Sequence, residues 1–435
     1  MKRRKFLKSV GAGVAATGLG GILAAHRAPV FAQANTVHIL RWNDFVPAAD
    51  KVLREVFAPE VQKALGIKLN VETVNANDIP ARATAAIQSG SGPDIIMLLN
   101  NYPQLFAAGG VDVSDIAAEV GKAQGGIYSL PQSMCKVGNQ WVAMPWATVP
   151  ALIAYRKSWF DEIGVKEFPK TWAQYHEAGK KLKAAKRPIG QTLGHTFGDA
   201  PTFAYPMMWS YGGQEIDAKG KVVLDSKETV ESVRFMNQFW KDAHDEGGLA
   251  WDDTNNNRAF LSGDICASLN GASIYVAALN GADKFKTEKG AALHTDILHA
   301  PLPAGPKGQF AYHTAFTHMV MKYSKNAKGA KEFLRWAHTP ANYEKWVVVQ
   351  KGFAVAPTTQ WEKHKMWDVD PVMLPFKTAS RAGRHMGYAG TPDKKAAEAW
   401  NKYIIVDMYA QAASGKMKPE ESVKWAAGEL GKIYT

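Results

Sequence analysis

Apolar positions in the first third of the chain change period repeatedly. Residues 36–42 read as a strand, and over 50–65 Leu53, Val56, Phe57, Val61 and Leu65 recur at helical spacing. Residues 67–74 alternate again as a strand. Asn77 or Asp78 can cap a helix with Pro80 in its first turn and Gly90 as its stop, and 94–99 is a continuous apolar strand bounded by Gly92-Pro93. Strand, helix and strand in alternation predict an α/β fold built on a largely parallel sheet.

Beyond Asn100 the pattern loosens. Residues 141–146 and 151–155 are short apolar runs, and Pro145 and Pro150 bracket a crossing strand there, as at a domain boundary. A helix is expected over 171–183, an aromatic-rich segment closing on Gly212-Gly213 over 201–213, and a long helix over 226–242. The densest proline stretch, 301–306, marks a second boundary, and Thr339-Pro340 is a cap with proline at the first helical position. No internal repeat or low-complexity tail is present.

Composition narrows the class. With 21% charged and 46% apolar residues the chain reads as globular, and its 435 residues exceed what one hydrophobic core supports, so two domains are expected. Residues 1–34 form a separate unit. Lys2-Arg3-Arg4-Lys5 precede a short glycine-diluted apolar run, and Ala32-Gln33-Ala34 offers small residues for cleavage after Ala34 or, alternatively, Ala32. Arg3-Arg4 followed by Lys-Phe-Leu-Lys resembles a twin-arginine signal, which implies export of the folded chain to the periplasm. Without this segment 46 basic residues face 40 acidic ones, a net charge of +6. That excess is spread as mixed-sign surface and no basic run is interleaved with aromatics, which argues against nucleic acid as a partner. Cys135 and Cys266 lack metal or redox spacing and are expected as buried thiols.

Ser91-Gly92-Pro93-Asp94-Ile95-Ile96, the block from Val142 to Lys157, Pro169-Lys170-Thr171-Trp172, Trp209-Ser210-Tyr211-Gly212-Gly213, Ala259-Phe260-Leu261-Ser262-Gly263 and the stretch from Ser324 to Leu334 occur in an order that resembles the family 1 extracellular solute-binding proteins of bacterial ABC importers, in particular their sugar-binding members. The resemblance runs from about Val37 to the end. It implies a type II-like periplasmic binding fold with two α/β lobes joined by a multi-crossing hinge. Lobe one would hold 35–147 and 312–337, and lobe two 148–311 and 338–435. It further implies a monomer that captures a sugar or polyol without a cofactor or metal and delivers it to an inner-membrane ABC permease.

A sugar site needs planar polar groups for hydroxyls and aromatic rings for C–H faces. The family pattern places polar ligand contacts at Trp42, Asn43 and Asp44, where the first strand ends. Asn100, Asn101 and Tyr102 follow the Pro-Asp-Ile strand at its carboxyl end, where open α/β sheets bind ligands. Trp146, Phe203, Tyr205, Trp209 and Tyr211 are candidate rings, two or three of which would touch ligand. Where the family often shows Gly-x-Trp, this chain has Asn270-Gly271-Ala272-Ser273, so Asn270, Ser273 and Tyr275 would serve a smaller, more polar pocket. His313 follows the proline-rich crossing, and Arg384 and Tyr388, with Arg381 and His385, form a basic aromatic loop able to take hydroxyls, a carboxylate or a phosphate. A periplasmic glycosidase or lyase is the alternative, but no nucleophile, zinc or phosphate-loop motif accompanies it. Paired adjacent tyrosines, as an iron carrier would use, are absent.

Overall fold

The computed structural model describes residues 35–435; the expected export signal and its cleavage site lie outside them. Strand β1 (Thr36–Trp42) pairs in parallel with β2 (Lys68–Val74) along its whole length, and β3 (Ile95–Leu99) lies parallel on its other side. The connection from β1 to β2 is helical from Pro47 to Leu65, closed by Gly66 in the left-handed region (φ 67°). Gly90 (φ 64°) ends the helix Ile79–Ser89 in the same way. Asp78 stands at its N-cap position with Pro80 in the first turn, as expected, but the Asp78 side chain makes no cap bond. Asn75 accepts the N–H of Asn77 in the short turn that leads in, which leaves the Asn77 side chain for other partners.

Five further strands complete two sheets: β4 (Met144–Val149), β5 (Leu152–Arg156), β6 (Ala267–Asn270), β7 (Ile297–Ala300) and β8 (Thr314–Val320). The first sheet runs β2-β1-β3-β8-β4, with β8 antiparallel to both neighbours, so it is mixed where local alternation alone predicted parallel pairing. The second is a three-stranded antiparallel sheet, β6-β5-β7. The chain passes between sheets at 149–152, around Pro150, and returns through the proline-rich stretch before β8. Pro150 lies in the first of these crossings, and Pro301, Pro303 and Pro306 lie in the second.

Helices Trp172–Ala184, Asp199–Tyr211, Lys227–Ala243, Ile404–Ala413 and Pro419–Ile433 build the second lobe. Thr171 and Gln174 close a reciprocal capping box, and Ser226 accepts the N–H of Thr229. The aromatic-rich segment is a helix with Pro206 inside it. Thr339 precedes the helix Pro340–Val347, but its hydroxyl turns back to the Trp336 carbonyl instead of capping. That helix lies on the first lobe. Tyr343 donates to the Trp146 carbonyl at 2.6 Å and the Trp346 ring sits 4.9 Å from that of Trp146. Cys135 and Cys266 are both free and buried, and among the described residues no helix is long and apolar enough to cross a membrane.

Candidate ligand-binding site

The carboxyl ends of β1 and β6 face each other across the gap between the lobes. Trp42 ends β1, and its ring gathers Phe45 (5.4 Å), Phe316 (4.5 Å) and Phe353 (6.3 Å, stacked) around it. From the second lobe Phe197 meets the same indole edge-on at 5.3 Å. Two asparagines of the first lobe hold the backbone of Phe197. Its N–H donates to Asn77 Oδ1 at 3.1 Å and its carbonyl accepts from Asn100 Nδ2 at 3.4 Å. Asn100 adopts the left-handed region (φ 52°) open to asparagine, and its Oδ1 accepts from the Tyr312 hydroxyl at 2.8 Å.

Polar chemistry enters from the second lobe. Asp253 accepts the N–H of Asp199 at 2.8 Å and of Gly198 at 3.1 Å, so it caps the helix that begins at Asp199. Asp199 accepts from Asn256 Nδ2 at 2.6 Å. Burial raises the pKa of both acids, with Asp253 lifted to about 6 and Asp199 pushed well above the carboxylate range, the nearby Asp253 charge adding to burial. Asn270, Asn257 and Ser273 form a closed ring of bonds: Asn270 Nδ2 to Asn257 Oδ1 (2.7 Å), Asn257 Nδ2 to Ser273 Oγ (3.0 Å) and Ser273 Oγ to Asn270 Oδ1 (2.8 Å). Trp42, Phe45, Phe197, Phe353, Asp199, Asp253, Asn270 and Ser273 line a space of about 30 Å³. It adjoins a chamber of about 280 Å³ edged by Asn43, Asn77, Thr196 and Asp252. Among the described residues no lysine or arginine lines either space.

The sequence-derived candidates divide into three groups. Trp42, Asn43, Asn270 and Ser273 are at the cleft. Asp44 edges it too, but its side chain is turned inward. Oδ1 accepts the Val46 N–H at 2.9 Å, Oδ2 accepts from Gln350 at 3.0 Å, and Arg41 stands 3.9 Å away.

A second group is in the interior and lines neither space. Asn100 reaches the cleft only through the Phe197 backbone. Asn101 is buried with no partner for its carboxamide among the described residues. Tyr102 donates to Asn401. Trp146 packs in a box of His318, His338, Tyr343 and Trp346, Tyr205 lies on Trp400, and Trp209 donates to Glu215. Tyr275 donates to Asp370 at 2.5 Å.

The third group, His313, Arg384 and Tyr388, belongs to a groove on the other side of the crossings. Sequence reasoning passed over Phe45, Asn77, Phe197, Asp199, Asp253 and Phe353. One signal was in view: Asp252 to Asn257 is an unbroken run of six small polar residues.

A sequence model of the bacterial extracellular solute-binding protein family matches residues 44–344. A probable ABC transporter-binding protein of Deinococcus radiodurans is 24% identical over 307 residues, which is 68% of this chain and 70% of that protein. Among solved structures, maltose-bound MalE3 of T. maritima superposes with a TM-score of 0.77 at 19% identity, covering 92% of this chain and 99% of that one. A ribitol complex of an ABC transporter solute-binding protein from Agrobacterium radiobacter gives 0.72 at 18% identity, covering 92% and 98%. With its two α/β lobes and interlobe cleft, the chain belongs to the bacterial extracellular solute-binding proteins.

Proposed function

We propose that this protein captures a small, neutral, polyhydroxylated solute, a monosaccharide-sized sugar or an alditol, between its lobes and presents it to an inner-membrane ABC permease. The observation that carries this reading is the make-up of the cleft: aromatic walls at Trp42, Phe45, Phe197 and Phe353, carboxyl and carboxamide groups at Asp199, Asp253 and Asn270, and, among the described residues, no cationic side chain. Aromatic faces suit sugar C–H surfaces, and acceptor-rich side chains suit hydroxyl donors. An anionic solute would meet two buried acids whose pKa values are already raised, so sugar acids and sugar phosphates are disfavoured. A chamber of about 280 Å³ is at the lower end of ligand-site volumes and favours a single ring or an open chain over an oligosaccharide. The neutral ligands of the two structural neighbours, maltose and ribitol, agree in chemical class.

Binding is favoured over hydrolysis. A glycosidase needs one carboxyl group free to protonate and another free to attack, whereas Asp253 holds two backbone amides of a helix terminus. The twin-arginine pattern at Arg3-Arg4 and the family's extracellular character support export to the periplasm, and a monomer with one ligand per chain fits a cleft formed within a single chain. The two lobes follow the two sheets, with exchanges at 149–152 and 301–313 and a third beyond the helix Pro340–Val347, which packs on the first lobe instead of the second, before the C-terminal helices.

The test is a thermal-shift and calorimetric screen of the purified chain against alditols, monosaccharides, disaccharides, sugar acids and sugar phosphates. At a hundredfold excess over Kd a neutral ligand should add about 2.7 kcal/mol of stability. A response confined to the anionic compounds would overturn the reading. Asp199→Ala should then weaken the hit about fivefold, because a neutral buried acid contributes about 1 kcal/mol through one hydrogen bond. Asn77→Ala, which removes one clip on Phe197, should weaken it about fivefold through one lost hydrogen bond of about 1 kcal/mol.

A further inference from the structure

A groove of about 670 Å³ lies on the far side of the hinge. It is lined by Ala151 and Leu152 of one crossing, by Pro301, Leu302, Phe310 and His313 of the other, and by the loop that carries Arg381 and Arg384. It shares no lining residue with the cleft. Val149 and Thr314 turn to the cleft while Ala151 and His313 turn to the groove, so the same two crossings separate the two spaces.

Arg384 is held there in an unusual way. Its guanidinium carbon lies 3.8 Å from the centroid of Phe310 and 3.9 Å from that of Tyr388. Two rings at such distances cannot share one face, so both faces of the guanidinium are covered and only its N–H edge is open. The loop is fixed by the Arg384 N–H donating to the Ala311 carbonyl at 2.9 Å and by Gly387 N–H donating to the buried Glu215 at 2.8 Å. Among the described residues the Arg384 side chain has no carboxylate within ion-pair distance and no hydrogen-bond partner. Arg381, the other cation of the groove, is committed to Glu362, with Nε at 2.7 Å from Oε1. The imidazole of His313 is also engaged, Nδ1 by the Ala151 N–H at 3.1 Å and Nε2 by the Ala382 carbonyl at 2.8 Å.

We propose that this groove is a second binding site, separate from the solute cleft, for a small organic monocarboxylate that Arg384 receives on its N–H edge. A guanidinium clamped between rings presents two parallel donors in one plane, the arrangement a carboxylate matches with both oxygens. One open cation calls for one negative charge. Leu152, Pro301, Leu302 and Pro375 supply an apolar wall for a short hydrocarbon tail, which a bare inorganic anion could not use.

Calorimetric titration of the purified chain with butyrate, inorganic phosphate and 1-butanol tests the assignment. Butyrate should bind saturably at one site per chain, with phosphate weaker and butanol silent. Arg384→Gln should weaken butyrate at least about tenfold, the loss of a charge-assisted pair of bonds, while near-ultraviolet dichroism reports that the fold is kept. Arg384→Lys keeps the charge without the fork and should weaken it comparably. No saturable butyrate binding, equal affinity in the Arg384→Gln or Arg384→Lys chain, or phosphate binding tighter than butyrate would each overturn the proposal.

Discussion

Asp44→Ala is expected to destabilise the fold by about 3–5 kcal/mol, the cost of stranding a buried charge. Arg41 comes from the interior of β1 and is fully buried, with Nε and Nη2 unpartnered and Nη1 only 3.4 Å from His318 Nε2. Its nearest counter-charge is Asp44, at 3.9 Å, whose side chain is equally inaccessible. Burial lowers the Arg41 pKa and raises that of Asp44 to about 6, the signature of two charges that tolerate the interior only together. Alanine at 44 also leaves the Val46 N–H and the Gln350 amide without their acceptor. Urea unfolding of the alanine variant, and of an Arg41→Met, Asp44→Leu double variant that should recover most of the loss, measures this directly. An unchanged midpoint, combined with lost ligand binding, would return Asp44 to the role the sequence suggested for it.

That reversal shows where sequence reasoning succeeds and where it stops. Strands β1, β2 and β3 and the helices begun by Thr171 and Ser226 were legible because a local period or cap encodes them. The helix Asp199–Tyr211 was read only as an aromatic segment. It is buried on every side from Ala200 to Ser210, so no amphipathic period survives, and Pro206 argues locally against it. At the site, residue type gave the right chemistry but not the direction. Trp42 and Trp146 both end or occupy strands of the first sheet, yet one ring faces the cleft and the other is enclosed by His318, His338, Tyr343 and Trp346. Phe197, Asp253 and Phe353 lie far apart in the chain and belong to loops. Only tertiary packing brings them together, and nothing local distinguishes Phe353 from other core aromatics.

Stability should fall as pH drops from 6.5 to 5.5, because the chain buries several histidines in their neutral form. Burial depresses His244 to about 3 and His299 to about 4, and it also lowers His313, His318, His338 and His385. The unfolded chain takes up these protons at the ordinary value of 6.5 while the folded chain refuses them, so each pH unit below 6.5 favours unfolding. For His244 and His299 the loss over this interval is about 1 kcal/mol each. Asp44 and Asp253, raised to about 6, act in the opposite sense: the folded chain binds their protons first, and each regains less than about 1 kcal/mol over the same interval. Asp199 and Glu215, also raised by burial, add to that gain. With six histidines against four acids, the net change over this interval is expected to be a loss of stability. Urea midpoints at pH 7.5, 6.5 and 5.5 read this out. His244→Phe, whose ring would stack on Trp240 in place of an imidazole 4.8 Å away with an unpartnered Nε2, should remove about 1 kcal/mol of the pH dependence. A flat profile between 6.5 and 5.5 would mean that the folded chain accepts these protons, and the first place to look would be His318, where a proton would have to settle 3.4 Å from the Arg41 guanidinium.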